Sequence, residues 1–278
     1  SFSKKDLFMV KRFTKIKTAK IRKNMKIGVL CNFYGFPEYT NRCLESWKKI
    51  PEIDKVAVSS YQYGDYVACG WNFDDTETPK QLLTEHRGFI DYICIGKNAN
   101  DSYSRNAPLQ HLLANDVDYV WLLDQDEFYS EKDIRNCIEY INEFGTENCT
   151  YKINFKNFVF SESQYVENFN PPRIFPVKIN GEKALSHFYY ENDVAYNING
   201  QMVDYKNLKI DEIPKDKCFP DHYSWVGSPE FLQAKVKYQL KRYNGICSYK
   251  WDEEKNKLAF NDEFFEKFNQ EKPEVKTI

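Results

Sequence analysis

The sequence has no apolar run near the ~18 residues of a membrane-spanning helix. Charges break every apolar stretch at its N-terminus, so neither a span nor a secretory leader is expected. Its eight cysteines never fall in C-x-x-C or zinc-ligand spacing, which removes the common structural zinc sites. Cys31 and Cys94 lie in apolar, strand-like runs, where a thiol acts as a small hydrophobe. The set reads as reduced and the protein as cytoplasmic. Glycine is sparse, and only Gly35 follows the first expected strand, too little for a loop that cradles phosphate with its backbone. That absence counts against a sugar-phosphate nucleotidyltransferase. Net charge is only −2, so the chain as a whole is no polyelectrolyte binder. Two sequons, at Asn100 and Asn148, read as chance matches in an Asn-rich chain.

Aromatic residues are abundant at 17%, which reads either as core packing with a codon bias toward Tyr, Phe, Asn and Lys or, in part, as stacking surfaces for a base or sugar ring. Charge is unevenly placed. Residues 1–24 hold nine Lys/Arg against Asp6, a basic arm of +8 that leaves −10 on the remainder. With Leu7, Val10, Phe13 and Ile16 at helical spacing, the arm reads as a membrane-surface helix, a nucleic-acid-binding arm, or a leader before a natural start at Met25.

From Lys26 the pattern alternates strand and helix. Strands are expected at Ile27–Cys31, Lys55–Ser59, Phe89–Ile95 and Tyr119–Leu123. Helices are expected at Pro37–Lys49, Pro79–Glu85, Asn100–Ala114 and Ser130–Phe144, the last opened by a capping box of Ser130 and Asp133. Such alternation predicts an α/β fold with a mostly parallel central sheet flanked by helices. The second half predicts a smaller mixed sheet, including a strand at Tyr151–Phe160 and a short one at Arg173–Phe175. Ser228-Pro229-Glu230 opens a strong helix to about Tyr243. Phe260, Phe264, Phe265 and Phe268 recur at helical spacing and predict a C-terminal helix. The expected organisation is an arm at 1–24, a catalytic domain at 25–250 with halves 25–130 and 131–250, and a helical tail at 251–278.

The most informative run is Tyr119-Val120-Trp121-Leu122-Leu123-Asp124-Gln125-Asp126-Glu127: an apolar strand ending in three acids within four residues. Carboxylates so close repel one another unless a cation lies between them. The C-terminal ends of strands in an open α/β sheet are where ligands bind. A hard divalent ion placed there suits a diphosphate, whose departure it assists as a Lewis acid.

The order of these motifs resembles the GT-A glycosyltransferases, in particular the family-2-type enzymes. The resemblance spans residues 26–130. It rests on the first strand, the Pro37-Glu38-Tyr39 to Leu44-Glu45-Ser46 helix, Arg105-Asn106 in the helix before the acids, and Asp124-Gln125-Asp126. It implies a GT-A (Rossmann-like) fold and a nucleotide-sugar donor, UDP-linked, held with Mn²⁺ or Mg²⁺. Asn32, Tyr34, Tyr61, Arg105, Asn106, Asp124 and Gln125 would then line the donor site. Asp126 and Asp124 would hold the metal, and Asp124 would alternatively bind the ribose. His222, in a polar turn beside Asp221, would close the metal site, imidazole being a good partner to carboxylates on Mn²⁺. Lys235 and Lys237 follow within reach of phosphate, although a solvated face is their simpler role. A base at the acceptor hydroxyl would come from Glu191, Asp193 or Asp221. The Gln-x-x-Arg-Trp signature usual in family-2 enzymes is absent, which leaves both the base and the stereochemical course open.

The expected activity is therefore sugar transfer to a hydroxyl of a bacterial surface glycan or lipid-linked acceptor, in the cytoplasm or at the inner membrane face. The alternatives are a viral enzyme glycosylating a hydroxymethylated DNA base in a host cytoplasm, its arm gripping phosphates, and a non-catalytic nucleotide- or sugar-binding module.

Overall fold

Every residue of the strand Ile27–Asn32 is buried, as is the apolar body of Tyr119–Asp124 beside it. Strands covered on both faces read as continuous apolar runs, and these two form the middle of the molecule. The computed structural model describes residues 25–71, 73–145, 148–190 and 193–278. The basic arm, with its membrane and nucleic-acid readings, and Glu191 lie outside them.

In chain order the first half comprises β1 (Ile27–Asn32), α1 (Pro37–Leu44), β2 (Ile53–Tyr63), α2 (Gly64–Ala68), α3 (Glu77–Thr84), β3 (Tyr92–Ala99), α4 (Asp101–Ala114), β4 (Tyr119–Asp124), β5 (Glu127–Phe128) and α5 (Glu131–Phe144). The second half comprises β6 (Cys149–Ile153), β7 (Phe155–Val159), β8 (Gln164–Phe169), β9 (Pro172–Pro176), β10 (Lys178–Ile179), β11 (Glu182–Lys183), β12 (Leu185–Tyr190), β13 (Asp193–Ile198), β14 (Gln201–Asp204), β15 (Lys209–Ile213), β16 (Asp221–Trp225), α6 (Pro229–Arg242), β17 (Tyr249–Asp252), β18 (Lys257–Phe260), α7 (Asp262–Lys267) and β19 (Lys276–Thr277).

The main sheet has the order β15-β6-β9-β4-β1-β2-β3. β4, β1, β2 and β3 are parallel, and β9 runs antiparallel to both β4 and β6. The expected α/β fold, a large mostly parallel sheet flanked by helices, is what forms. One face packs under α1, Trp47 and α5, and the other under α4 and the three-stranded sheet β12-β13-β14. A five-stranded sheet, β19-β8-β7-β16-β5, stands beside the first. The capping box at Ser130 and Asp133 is present, and Ser228 caps α6 with Pro229 in its first turn.

Three expected elements differ. The strand expected at Tyr151–Phe160 is broken at Asn154 into β6, in the main sheet, and β7, in the five-stranded sheet. The first helix stops at Leu44, and a separate 3₁₀ turn at Trp47–Lys49 drives Trp47 into the core. The tail, expected to be helical from Trp251, instead opens with the hairpin β17–β18, its turn passing through Asn256 at φ +48°. Asparagine tolerates that left-handed geometry, so the chain reverses where helical spacing alone would carry it on. Phe260 then packs on Tyr249 and Phe265, and only Asp262–Lys267 is helical.

Candidate active site at the junction of two sheets

β4 and β1 run in register, so Asp124 ends its strand beside Asn32. The chain then turns through Gln125 and Asp126 into β5, which pairs antiparallel with β16 and sets His222 opposite Glu127. The acid motif is thus the hinge between the two sheets. A histidine far along the chain meets it through one short ladder, and the Asp126 carbonyl accepts from the Tyr223 N–H at 2.9 Å. A cavity of about 750 Å³ opens there, bounded by β1, the β2–α2 turn, the acid turn, β16, α6 and the start of β17.

The four residues of the motif have four environments. Asp124 is held by two guanidinium groups: Arg105 donates to Oδ1 at 2.9 Å and Arg173 to Oδ2 at 3.0 Å. Burial alone would raise its carboxyl, but Arg105 and Arg173 outweigh that and hold it below the ordinary range. Gln125 is buried and structural. Its Oε1 accepts from the Tyr34 N–H at 2.7 Å, and its Nε2 donates to the Phe36 carbonyl at 2.6 Å, tying the acid turn to the β1–α1 loop.

Asp126 faces the cavity, its side chain 22% exposed. Burial pushes its carboxyl up to about 6, with Lys235 pulling down and Asp124 pushing up. Glu127 lies behind the wall, fully buried, gripped through Oε1 by Arg173 Nε at 2.8 Å and Nη2 at 2.5 Å. Burial lifts it to about 8 against the pull of that fork.

His222 is buried, stacked on Phe169 at 4.5 Å, and its Nδ1 lies 2.9 Å from Asn157 Oδ1. An acceptor there makes Nδ1 the protonated nitrogen. Nε2 therefore presents its lone pair toward Asp126 Oδ1, 3.7 Å away. Burial, then Lys235 and Arg173, drive the imidazole well below its ordinary pKa, so it is neutral. A lone pair facing a carboxylate oxygen beyond hydrogen-bond range is an arrangement that a cation between them would satisfy. Among the described residues no three His, Cys, Asp or Glu side chains are grouped as a closed cation cage. Asp126 and His222 instead stand as a pair.

Several expected site residues have other roles. Asp124 is not in the pair with His222, since both its oxygens serve arginines. Tyr61 does not line the cavity. β2 runs on to Tyr63, with a bulge between the two tyrosines, and Tyr61 covers Gly96, where a Cβ would lie 2.2 Å from its ring. Tyr63 lines the cavity in its place and contacts Asn32 Nδ2, while Asn32 Oδ1 accepts from Ser59 Oγ at 2.8 Å. Asn106 faces away from the cavity and clamps α4 to β12. Its Nδ2 donates to the Phe188 carbonyl and its Oδ1 accepts the Phe188 N–H, both at 2.7 Å. Asp193 pairs with Lys206 at 2.8 Å, and Asp221 with Lys156 at 3.1 Å, and neither lines the cavity. Among the described residues that do, the acids are Asp124 and Asp126. Asn32, Tyr34, Arg105, Asp124 and Gln125, all expected at the donor site, line it.

Four residues, Arg173, Asn157, Tyr66 and Trp71, escaped the sequence reading, and a fifth, Lys235, was given a solvated face as its simpler role. Arg173 and Asn157 are polar residues inside strands, and polarity at a buried strand position was the available signal. Lys235, read as a solvated face, is buried over Trp225 and Phe231. The aromatic wall of Tyr66 and Trp71 lies in the turn after β2, where Gly35 at φ +87° lets Trp71 pack against the chain. Tyr66 stacks on Tyr238 at 4.8 Å, bridging that turn to α6.

No protein-family model matches the sequence, and no curated protein does. The fold has distant likenesses among solved structures. Staphylococcus aureus TarS is 14% identical over 84% of this chain and 41% of its own, TM-score 0.40; its 1–349 fragment in complex with UDP-GlcNAc has 69% of its length covered, TM-score 0.41. The 4-diphosphocytidyl-2C-methyl-D-erythritol synthase of Anaerococcus prevotii is 11% identical over 55% of this chain and 70% of that one, TM-score 0.33. The mannosyltransferase PcManGT of Pyrobaculum calidifontis, in complex with GDP-Man and Mn²⁺, is 12% identical over 45% and 34%, TM-score 0.31. Likenesses this remote carry no assignment, which rests on the residues themselves.

Proposed function

We propose that the chain is a GT-A-type glycosyltransferase that draws its sugar from a nucleotide diphosphate sugar, UDP-linked, with Asp126 and His222 as the protein ligands of Mn²⁺ or Mg²⁺. The observation that carries this reading is His222 Nε2 lying 3.7 Å from Asp126 Oδ1 in a cavity at the C-terminal ends of parallel strands. When bound, the ion would supply Lewis acidity to the departing diphosphate. Asn157 holds the imidazole in the tautomer that presents Nε2. Arg105 and Arg173 keep Asp124 ionised and fixed, and Gln125 sets the turn that aims Asp126 inward.

Asn32, Tyr34 and Tyr63, at the ends of β1 and β2, would face the nucleoside. The cavity volume, about 750 Å³, falls in the range of small-molecule sites, and its aromatic walls suit sugar rings. The acceptor proposed is a hydroxyl of a surface glycan or lipid-linked glycan, met at the cytoplasmic face of the membrane. That part leans on the basic sequence of residues 1–24.

A hydrolysis panel of UDP- and GDP-sugars with Mn²⁺ tests the reading. At least one donor should turn over, and Asp126→Ala should lose about 100-fold or more in rate while keeping its thermal midpoint. Turnover indifferent to Asp126→Ala would sink it. Metal-independent UDP binding with no turnover of any donor would favour a non-catalytic module.

A further inference from the structure

The cavity continues past the acid turn. Ser224, two residues after His222 on β16, meets α6 at Lys235. Tyr243, which caps the C-terminus of α6, stands about 12 Å farther along the helix axis. There the cavity is walled by Tyr243, Asn244 and Ser248, and by Phe264 from α7. Among the described residues that line the cavity the carboxylates are those of Asp124 and Asp126, so this end offers none to a cation.

The C-terminal segment supplies these groups and is tied to the core in doing so. Tyr249 lies against Trp225 with ring centroids 4.4 Å apart and against Phe260 at 5.6 Å, which joins the β17–β18 hairpin to β16. Asn261 fastens the hairpin to the start of α7. Its N–H donates to the Ser248 carbonyl at 2.9 Å and its Nδ2 to the Cys247 carbonyl at 3.0 Å. Adjacent residues of a helix point about 100° apart. Phe265 is therefore buried against Phe260, ring centroids 5.8 Å apart, while its neighbour Phe264 is left in the cavity wall, half-buried. Across from it, Asn244 takes φ +53° and Gly245 φ +83°, so α6 ends in a reversal that leaves Asn244 in the same wall.

Rings set among neutral hydrogen-bonding groups match a carbohydrate. A pyranose presents an apolar face to an aromatic ring and hydroxyls to an amide or another hydroxyl. A hydrocarbon chain makes no use of the Asn244 amide or the Ser248 hydroxyl, and covering them with one costs free energy.

We propose that this end of the cavity is a saccharide-binding subsite, in which the rings of Phe264 and Tyr243 carry a sugar face and Asn244 and Ser248 bond its hydroxyls. Joined to the donor end, it makes the acceptor a glycan gripped by a sugar and not by a lipid chain. The inference rests on the nucleotide-sugar reading for calling that sugar the acceptor.

Saturation-transfer NMR in EDTA tests it, with octyl glycosides of glucose, galactose, mannose and N-acetylglucosamine, kept below their micelle concentrations, as probes. Sugar-ring and alkyl protons are read separately in each. At least one sugar ring should receive saturation more strongly than its octyl chain. Phe264→Leu keeps apolar bulk but loses the ring, and it should weaken that binding about tenfold, the upper scale of an aromatic contact. Phe264→Tyr should stay within about threefold of wild type. Asn244→Gly removes the amide while suiting the left-handed backbone, and it should weaken binding about threefold, the worth of one neutral hydrogen bond. It also keeps the test open should Phe264→Leu fail to fold. UDP affinity in Mn²⁺ should not change in either. No saturation of any sugar ring overturns the inference. So does saturation confined to the octyl chains, which would mark a lipid site, or sugar binding indifferent to both Phe264→Leu and Asn244→Gly. A parallel loss of UDP affinity overturns it too, since it would mark a structural role. Donor turnover with sugar binding indifferent to both variants removes only the subsite; Phe264-dependent sugar binding with no donor turned over removes only the sugar transfer.

Discussion

The two walls of the cavity hold their charges in opposite ways. On the side built by β1, β4, α4 and β9, charges are joined to one another: Arg105 to Asp124, and Arg173 to both Asp124 and Glu127, all at 3.0 Å or less. On the side built by β5, β16 and α6, Asp126 and His222 face each other at 3.7 Å without a hydrogen bond, and Lys235 donates to Ser224 and lies over the rings of Trp225 and Phe231. Two aspartates one residue apart therefore do different work. Asp124 belongs to the architecture of the first wall, which is self-sufficient in charge. Asp126 belongs to the second wall, where it faces His222 without a hydrogen bond.

The largest blow to this contrast would fall on Arg173. Arg173→Met strips the buried Glu127 and the partly buried Asp124 of a shared partner. Losing one member of a buried ion pair costs about 3–5 kcal/mol. The urea midpoint should fall accordingly at unchanged m-value. A loss under about 1 kcal/mol would show that the first wall does not depend on its internal pairing.

A smaller and more selective effect is expected at Asn157. Asn157→Ala leaves His222 stacked on Phe169 but removes the acceptor that fixes its Nδ1–H tautomer. Mn²⁺ affinity in the presence of UDP should drop by about 10–100-fold, the usual consequence of losing the outer partner of a histidine ligand. UDP binding in EDTA should be unaffected. If Mn²⁺ binds the variant as it binds wild type, His222 is not a ligand, and the second wall is no metal site.

The same contrast explains what could be read in advance. The first wall follows from local pattern. β1, the helix carrying Arg105 and the acid strand each announce themselves through apolar runs and caps, and parallel strands place their ends together. The second wall is assembled by pairing between distant segments. His222 stood out as a histidine beside acids and aromatics, although it lies buried in β16 and not in the polar turn expected for it. Asn157 and Arg173 did not stand out, because a strand pattern does not say which strand it will join. Arg173 matters only once β9 inserts antiparallel between β4 and β6. Tyr61 was misplaced in favour of Tyr63 because a bulge in β2 changes which side chain reaches the strand end, and bulges leave little trace in alternation. Lys235 was misread because helical periodicity marks a polar face without saying whether that face meets solvent or a site.

The two aspartates should also separate in pH dependence, the smallest of these effects because Asp126 keeps some contact with solvent. Asp126 has a folded pKa of about 6 against an ordinary 3.8. Between those values the folded chain holds a proton that the unfolded chain has released, so its contribution to stability is fully present below about pH 4 and is lost as pH rises through about 6. Asp124, held low by its arginines, has the reverse sign: its contribution is present above its ordinary value and is lost as pH falls toward its folded one. Asp126→Asn mimics the protonated form. It should match wild type in unfolding free energy near pH 4 and exceed it increasingly toward pH 7, whereas Mn²⁺ with UDP should stabilise wild type alone, and less so below about pH 6 where the ligand carboxylate is protonated. A gap between the two proteins that does not change from pH 4 to 7 would mean that Asp126 titrates as an ordinary surface acid. The cavity would then lack the poised carboxylate that distinguishes its second wall from its first.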